Sequence, residues 1–342
     1  SMKLTSLVLA AALSITTLCA AQEPPAASKP IDPNAWWAQI EPSAGQMAAR
    51  YWMRMEFVLD LIAKDHPKLA DRAKELKTKA AFAYAAAAGE IDKHFARVDK
   101  EWRADMDDYK QHITKLGTPA EPAEFLREVE QSLSSGTGNG ETLLHAFNPR
   151  YAARPLAEIE EGFTSEMSTR GNSAAKGLEL SMVLPRSWAY EQPANERIAV
   201  ARHSHAGVGE VLLAILVSEV PADELKLLKE EGGAKVVADP EQIKQAGGTV
   251  VKTGTGTLGK EEMAWTRYIL TVDGPDNAMK VLVWSIHAFN DGKYVNMQLQ
   301  LMNKAKDRAG LASDEAMKAR FEHYLPLLDK IVASGSFAMP GS

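Results

Sequence analysis

Leu178-Glu179-Leu180-Ser181-Met182-Val183-Leu184-Pro185-Arg186-Ser187-Trp188 is where the chain changes its period. Leu178, Leu180, Met182 and Leu184 recur at every second position, as on a strand with one buried face, and Pro185 ends the run because it cannot donate to a ladder. Downstream the same period returns, predicting strands at 178–184, 197–205, 210–219, 248–257, 262–273, 280–289 and 293–302. Helices are expected at 221–231, 239–246 and 313–333. Glycine-bearing links at 206–209, at 256–260 and at Asn290-Asp291-Gly292 are short enough to make neighbouring strands antiparallel hairpins. In the last strand Val295, Met297, Leu299 and Leu301 alternate with Asn296, Gln298 and Gln300, which predicts one buried face and one polar face. Residues 178–338 thus read as an antiparallel sheet covered by helices.

Upstream the period is helical. Ser43 followed three residues later by Gln46 has the form of a capping box, and Met47, Tyr51, Met55, Val58 and Ile62 then line one face as far as His66-Pro67. From Pro67 an apolar stripe, including Leu76, Ala80, Ala83, Ala87, Ile91, Val98, Trp102, Met106 and Ile113, continues to Leu116 with Gly89 as its weak point. One long helix is expected there, with any bend at Gly89. Thr118-Pro119-Ala120-Glu121 caps a further helix to Leu133. Residues 43–133 are therefore an all-helical hairpin or bundle, and the fold class is α+β. Ser134-Ser135-Gly136-Thr137-Gly138-Asn139-Gly140 reads as a flexible linker. It opens a connecting segment, 134–177, with short helices expected near 141–147 and 156–163.

The chain of 342 residues opens with Lys3, an apolar run at 7–13 and Leu18-Cys19-Ala20-Ala21-Gln22. That order is expected of a signal peptide over 1–21, placing the mature protein in the periplasm or outside the cell. Residues 22–42, with Pro24, Pro25, Pro30, Pro33 and Pro42, read as a tether that carries Trp36-Trp37 without a local core. Cys19 is the one cysteine and lies in the leader, so the mature fold is expected to rely on apolar burial rather than disulfides. A net charge of −6 argues against nucleic acid as a partner. No later apolar run approaches the roughly 18 to 20 residues of a transmembrane segment. The oligomeric state is not fixed by these features.

The order of a strand ending in Leu184-Pro185-Arg186-Ser187-Trp188, a long hairpin with a helical insertion, the meander 262–302 and a closing helix resembles the Mog1/PsbP-like α/β/α sandwich. The resemblance covers about 178–338 and leaves the helical module outside it. It implies a binding or assembly role more often than an enzymatic one.

Chemical motifs point the same way. Gly254-Thr255-Gly256-Thr257-Leu258-Gly259 spells a dinucleotide fingerprint, but Lys260 to Trp265 leads into another strand and not the helix that would hold a pyrophosphate. A glycine-rich hairpin tip is expected, and no cofactor. His203 and His205 with Glu210 form a conceivable metal set on one hairpin, read here as solvated side chains with no metal. Among the other histidines there is no HExxH spacing, and no GxSxG elbow is present. Asp105-Asp107-Asp108 and Glu158-Glu160-Glu161 read as solvated helix faces. No catalytic residue is assigned. Trp188, Arg202, Trp265, Arg267, Trp284 and Tyr294 are the candidate binding residues, because aromatic rings and guanidinium groups dominate recognition surfaces. The expected function is non-catalytic recognition of a protein partner. Neutralisation of a toxin by a periplasmic immunity protein is the alternative, and an envelope-polymer hydrolase ranks below it.

Export should remove the leader after Ala21 or Ala20. The intact mass of protein recovered from the periplasm or medium checks this, and a species retaining Met2 or a lipid on Cys19 refutes it.

Overall fold

The computed structural model describes residues 42–135, 139–193, 196–207, 209–273, 278–302 and 313–338. The expected leader, most of the tether including Trp36-Trp37, and the linker residues 136–138 lie outside them. The described chain forms two compact units, one of residues 42–165 with 185–189 and one of residues 166–184 with 190–338.

The helical unit contains α1 (Pro42–Asp65), α2 (Ala70–Val98), α3 (Trp102–Leu116), α4 (Pro122–Ser135), α5 (Asn139–Ala146), α6 (Pro149–Ala153) and α7 (Ala157–Glu160). Helices α1 and α2 pack along each other. Ala73, Ala80, Ala83 and Ala87 are buried, as are Leu59 and Ile62. Small side chains on α2 let the two backbones approach while the leucines and isoleucines fill the seam.

Two local expectations give way here. The stripe from Pro67 is broken at 99–101, not at Gly89, where α2 continues unbroken. Asp99 is extended, and its Oδ1 accepts the Glu101 amide at 3.0 Å, a local turn that competes with the helix. Trp102 then stacks on Phe95 at 4.9 Å, and its Nε1 donates to Asp92 at 2.9 Å. The capping box also fails. Helix α1 already starts at Pro42, and Gln46 Nε2 donates to Asp105 Oδ2 at 2.7 Å in place of its own helix end.

Strands β1 (Thr164–Ser168), β2 (Leu180–Pro185) and the closing β10 (Ser336–Phe337) form a three-stranded sheet in the order β1-β2-β10. Seven further strands form the main sheet: β3 (Ala189–Tyr190), β4 (Ile198–His203), β5 (Val211–Glu219), β6 (Thr249–Leu258), β7 (Glu261–Asp273), β8 (Ala278–Asn290) and β9 (Lys293–Met302). Their order is β3-β4-β5-β9-β8-β7-β6, and the pairs from β4 to β6 are antiparallel. Helix α11 (Asp314–Ala333) covers one face, contacting β6, β8 and β9. The other face carries α8 (Ala222–Glu231), α9 (Ala234–Val237) and α10 (Pro240–Gln245), through Ala234 and Ala238 on Ala264 and through Ile243 in a cluster with Tyr268, Leu270 and Val283.

Both faces are therefore covered, which corrects the expectation of a polar outer face. Asn296, Gln298 and Gln300 are as buried as Val295 and Leu299. The glycine motif is also relocated. Gly254 and Gly256 lie within β6 opposite Trp265 and Met263, whose side chains fill the space that a Cβ would need. The tip of the hairpin is Gly259, with φ +61°.

Gly254→Ala should destabilise the sheet unit by about 1–3 kcal/mol, because its methyl overlaps the Trp265 ring. Thr255→Ala, with an exposed side chain in the same strand, should stay within about 0.5 kcal/mol. Urea midpoints of the two variants check the contrast.

Candidate functional site

Three of the six candidate residues meet on the α11 side of the sheet. Alternation on β7 puts Trp265 and Arg267 on one face, and the register sets Trp284 of β8 directly opposite Arg267. The Arg267 guanidinium lies 4.5 Å from the Trp284 ring centre, 5.0 Å from that of Trp265 and 5.3 Å from that of Phe321 on α11. Each contact of a cation with a ring face contributes about 0.5–2 kcal/mol, more as water is excluded. The Arg267 side chain is only 8 % exposed, and Glu322 Oε1 stands 3.6 Å away on the solvent side. Burial lowers the affinity of the guanidinium for its proton, with Glu322 and Asp329 acting in the opposite sense. Arginine nonetheless stays charged. Asp329 is itself shifted upward by burial against the pull of Arg267.

The other three are elsewhere. Arg202 on β4 lies over the Tyr190 ring at 5.2 Å, near the opposite edge of the sheet from β6, and Tyr190 is 59 % exposed. Tyr294 belongs to the face under α8–α10, its hydroxyl 2.6 Å from His287 Nδ1. Trp188 is buried in the 185–189 segment of the helical unit. Six residues of similar chemistry thus supply two small clusters and two separate core positions.

The conceivable metal set is used differently. His203, His205 and Glu210 are buried rather than solvated. Nδ1 of His203 lies 2.9 Å from Glu191 and its Nε2 3.1 Å from the Gly209 carbonyl. Glu210 pairs with Arg320. Of the acidic clusters, Glu158 departs from the expected solvated face, being fully buried on α7. Its carboxylate accepts the Ser187 amide and the Ser187 hydroxyl, both at 2.7 Å. Burial outweighs these hydrogen bonds and raises its pKa to about 7.

Two buried polar systems were not singled out by residue type. In the sheet unit, Asn296 Nδ2 donates to Ser285 Oγ at 2.8 Å, Gln298 Nε2 to Asn296 Oδ1 at 2.7 Å and Gln300 Nε2 to Gln298 Oε1 at 2.8 Å. His287 Nε2 is 3.0 Å from the same Ser285 oxygen, and burial lowers its pKa to about 3, so the ring is neutral. In the helical unit, Arg186 donates to the carbonyls of Ser132, Leu133 and Ser134 at 3.2, 3.1 and 2.6 Å. His145, wholly buried among Tyr84, Tyr151 and Phe163, is held near pKa 3 by burial and by Arg186. The sequence signal for the second system was the turn Pro185-Arg186-Ser187-Trp188. The first had none, because its polar period is that of any half-exposed strand.

No family model matches the sequence, and no curated protein matches it. Among solved structures the chain is similar to cyanobacterial PsbP (CyanoP) from Synechocystis sp. PCC 6803, at 15% identity over 51% of this chain and 92% of that one, with a TM-score of 0.35. It is also similar to a crystal structure from Bacteroides thetaiotaomicron VPI-5482, at 10% identity over 48% of this chain and 46% of that one, with a TM-score of 0.28. The chain spans about half the length of that second protein. The likeness is one of fold, over part of the chain.

Glu158 supplies a pH test. Its folded pKa lies above the usual carboxylate value, so the native state holds a proton that the unfolded state has lost, and its contribution falls as pH rises from about 4.5 to about 7. The stability of the native chain minus that of Glu158→Gln should therefore drop across that window, by on the order of a few kcal/mol, and level off above it. Taking the difference cancels the opposite trend of His145 and His287, whose depressed pKa values make them cost stability as pH falls below about 6.5. Chemical unfolding of both proteins at pH 5, 6, 7 and 8 reads it.

Proposed function

We propose that the chain works as an exported, non-catalytic binding or assembly protein that recognises a protein partner. The observation that carries this reading is the placement of three groups with displaced proton affinity: Glu158, His145 and His287 are closed inside the packing. A general acid or base must come within about 2.6–3.2 Å of a substrate atom, or reach it through one water. These three instead meet Ser187, aromatic rings, and Tyr294 with Ser285.

The groups that solvent does reach suit recognition. Tyr190 is exposed with Arg202 against its ring, and Trp265 is half-buried at the rim of the Arg267 cluster. Aromatic rings held by a guanidinium lose little freedom when a partner covers them. The net charge of −6 favours a partner with a basic surface. Export rests on the order of Lys3, the apolar run and the small residues before Gln22.

The purified chain should capture a stoichiometric protein from an envelope extract. Tyr190→Ala should weaken that capture by roughly tenfold while leaving the fold intact by circular dichroism. Turnover of an envelope polymer without a bound protein would refute the proposal.

A further inference from the structure

Strand β6 closes one end of the main sheet, and among the described residues no strand pairs with its outer edge. Such an edge is a template for another chain unless charge, proline or a bulge protects it. Here the protection stops early: the register irregularity lies between Val250 and Lys252, and from Thr253 to Leu258 there is neither a charged residue nor a proline.

We infer that β6 is the seam of a two-fold dimer, with the outer edge of one copy paired antiparallel to that of a second copy of this chain. This goes beyond the proposed recognition of a different protein and does not depend on it. The first argument is self-complementarity. Thr253-Gly254-Thr255-Gly256-Thr257 reads the same in both directions, so a two-fold axis at Thr255 sets Thr253 against Thr257 and Gly254 against Gly256. Threonine opposite threonine is a favourable cross-strand pair.

The second argument concerns the side chains beside the seam. Trp265 lies over Gly254 and Met263 over Gly256. When Gly254 faces Gly256 of the second copy, each Trp265 meets the Met263 of its partner, and the seam carries a thioether against an aromatic edge twice. Both residues are half-buried in the single chain and keep surface for that contact.

Charge complementarity is the third argument. The same register brings Lys252 level with Leu258 of the second copy, a residue covered by Gly335 of its own chain, and so toward Glu261, which pairs with Leu258 in that sheet. Lys252 and the second copy's Glu261 then stand two strand spacings apart on one face, about 10 Å between Cα atoms, which both side chains together can span. The symmetry repeats the pair.

Sedimentation equilibrium of the purified chain up to about 200 µM should show twice the chain mass at the upper end and dissociation on dilution. Thr255→Lys places two like charges directly opposite each other on an exposed position and should raise the dimer dissociation constant by about fivefold or more. Lys252→Glu should weaken the dimer, and Lys252→Glu combined with Glu261→Lys should restore it. Amides of 249–258 should exchange more slowly with rising concentration in the native chain and not in Thr255→Lys. A single-chain mass throughout overturns the inference, as does a dimer indifferent to Thr255→Lys. A Lys252→Glu loss that the double exchange fails to restore overturns this register. Circular dichroism of each variant separates lost pairing from lost folding.

Discussion

A single buried guanidinium, that of Arg186, sets the terms for the helical unit. It sits where α4 ends, and its donors meet the carbonyls of Ser132, Leu133 and Ser134, which have no intrahelical partner. A helix C-terminus carries partial negative charge, so a cation there is favourable where water is excluded. The arrangement is demanding, because removing either side leaves a buried charge or three part-buried carbonyls unmatched. The backbone amide of Arg186 also donates to the Phe163 carbonyl at 3.1 Å, while its guanidinium lies 5.5 Å from the Phe163 ring centre. Next in sequence, Ser187 donates twice to Glu158. Two consecutive residues of one turn thus fix α4, α7 and the segment before β1.

The proton affinities in the same unit follow from that placement. Burial, and after it Arg186, keep His145 neutral, and burial raises Glu158 although Ser187 and Arg186 oppose the shift. Tyr51 is pushed well above the ordinary phenol range, first by burial and then by its hydrogen bond to Glu141. Perturbed groups often mark active sites, but ion-pair and hydrogen-bond networks that serve structure perturb them too. In the helical unit Glu158 and His145 lie beside a capped helix end and among ring contacts.

The main sheet obeys a different constraint. Helices lie on both faces, so polar side chains on the face under α8–α10 must satisfy one another. Asn296, Gln298 and Gln300 do so in part, as a row along β9 in which Gln298 donates to Asn296 and Gln300 to Gln298, while Gln300 Oε1 meets no donor among the described residues. The row ends at Ser285 and His287. Asn296 offers only donors to His287 Nδ1, so that nitrogen accepts, and the ring proton sits on Nε2 facing Ser285. The links within β9 would survive a slip, but those from Asn296 to Ser285 and His287 cross to β8 and favour this alignment of the two strands.

Much of this was legible from periodicity. The strand at 293–302 and the last helix coincide with their expected bounds to within a residue, since alternation at period 2 or 3.6 is a local property of the chain. Local chemistry also explains the break at Asp99, although the stripe ran through it and pointed to Gly89. Glycine in a helix interior costs only about 1 kcal/mol, too little to break α2 where it packs along α1. Which residues share a site was not local. Trp265, Arg267 and Trp284 came together because β7 and β8 pair in one register, whereas Trp188, Arg202 and Tyr294 went to other elements. The sequence by itself determined the element types, the α+β class and which side chains alternate along each strand. Tertiary structure alone decided that the polar half of β9 is buried, that the fingerprint glycines make room for Trp265 and Met263, and that Arg186 caps a helix more than fifty residues upstream. The reason is that burial and pairing depend on which distant segment arrives to cover a face, and no spacing within that face records it.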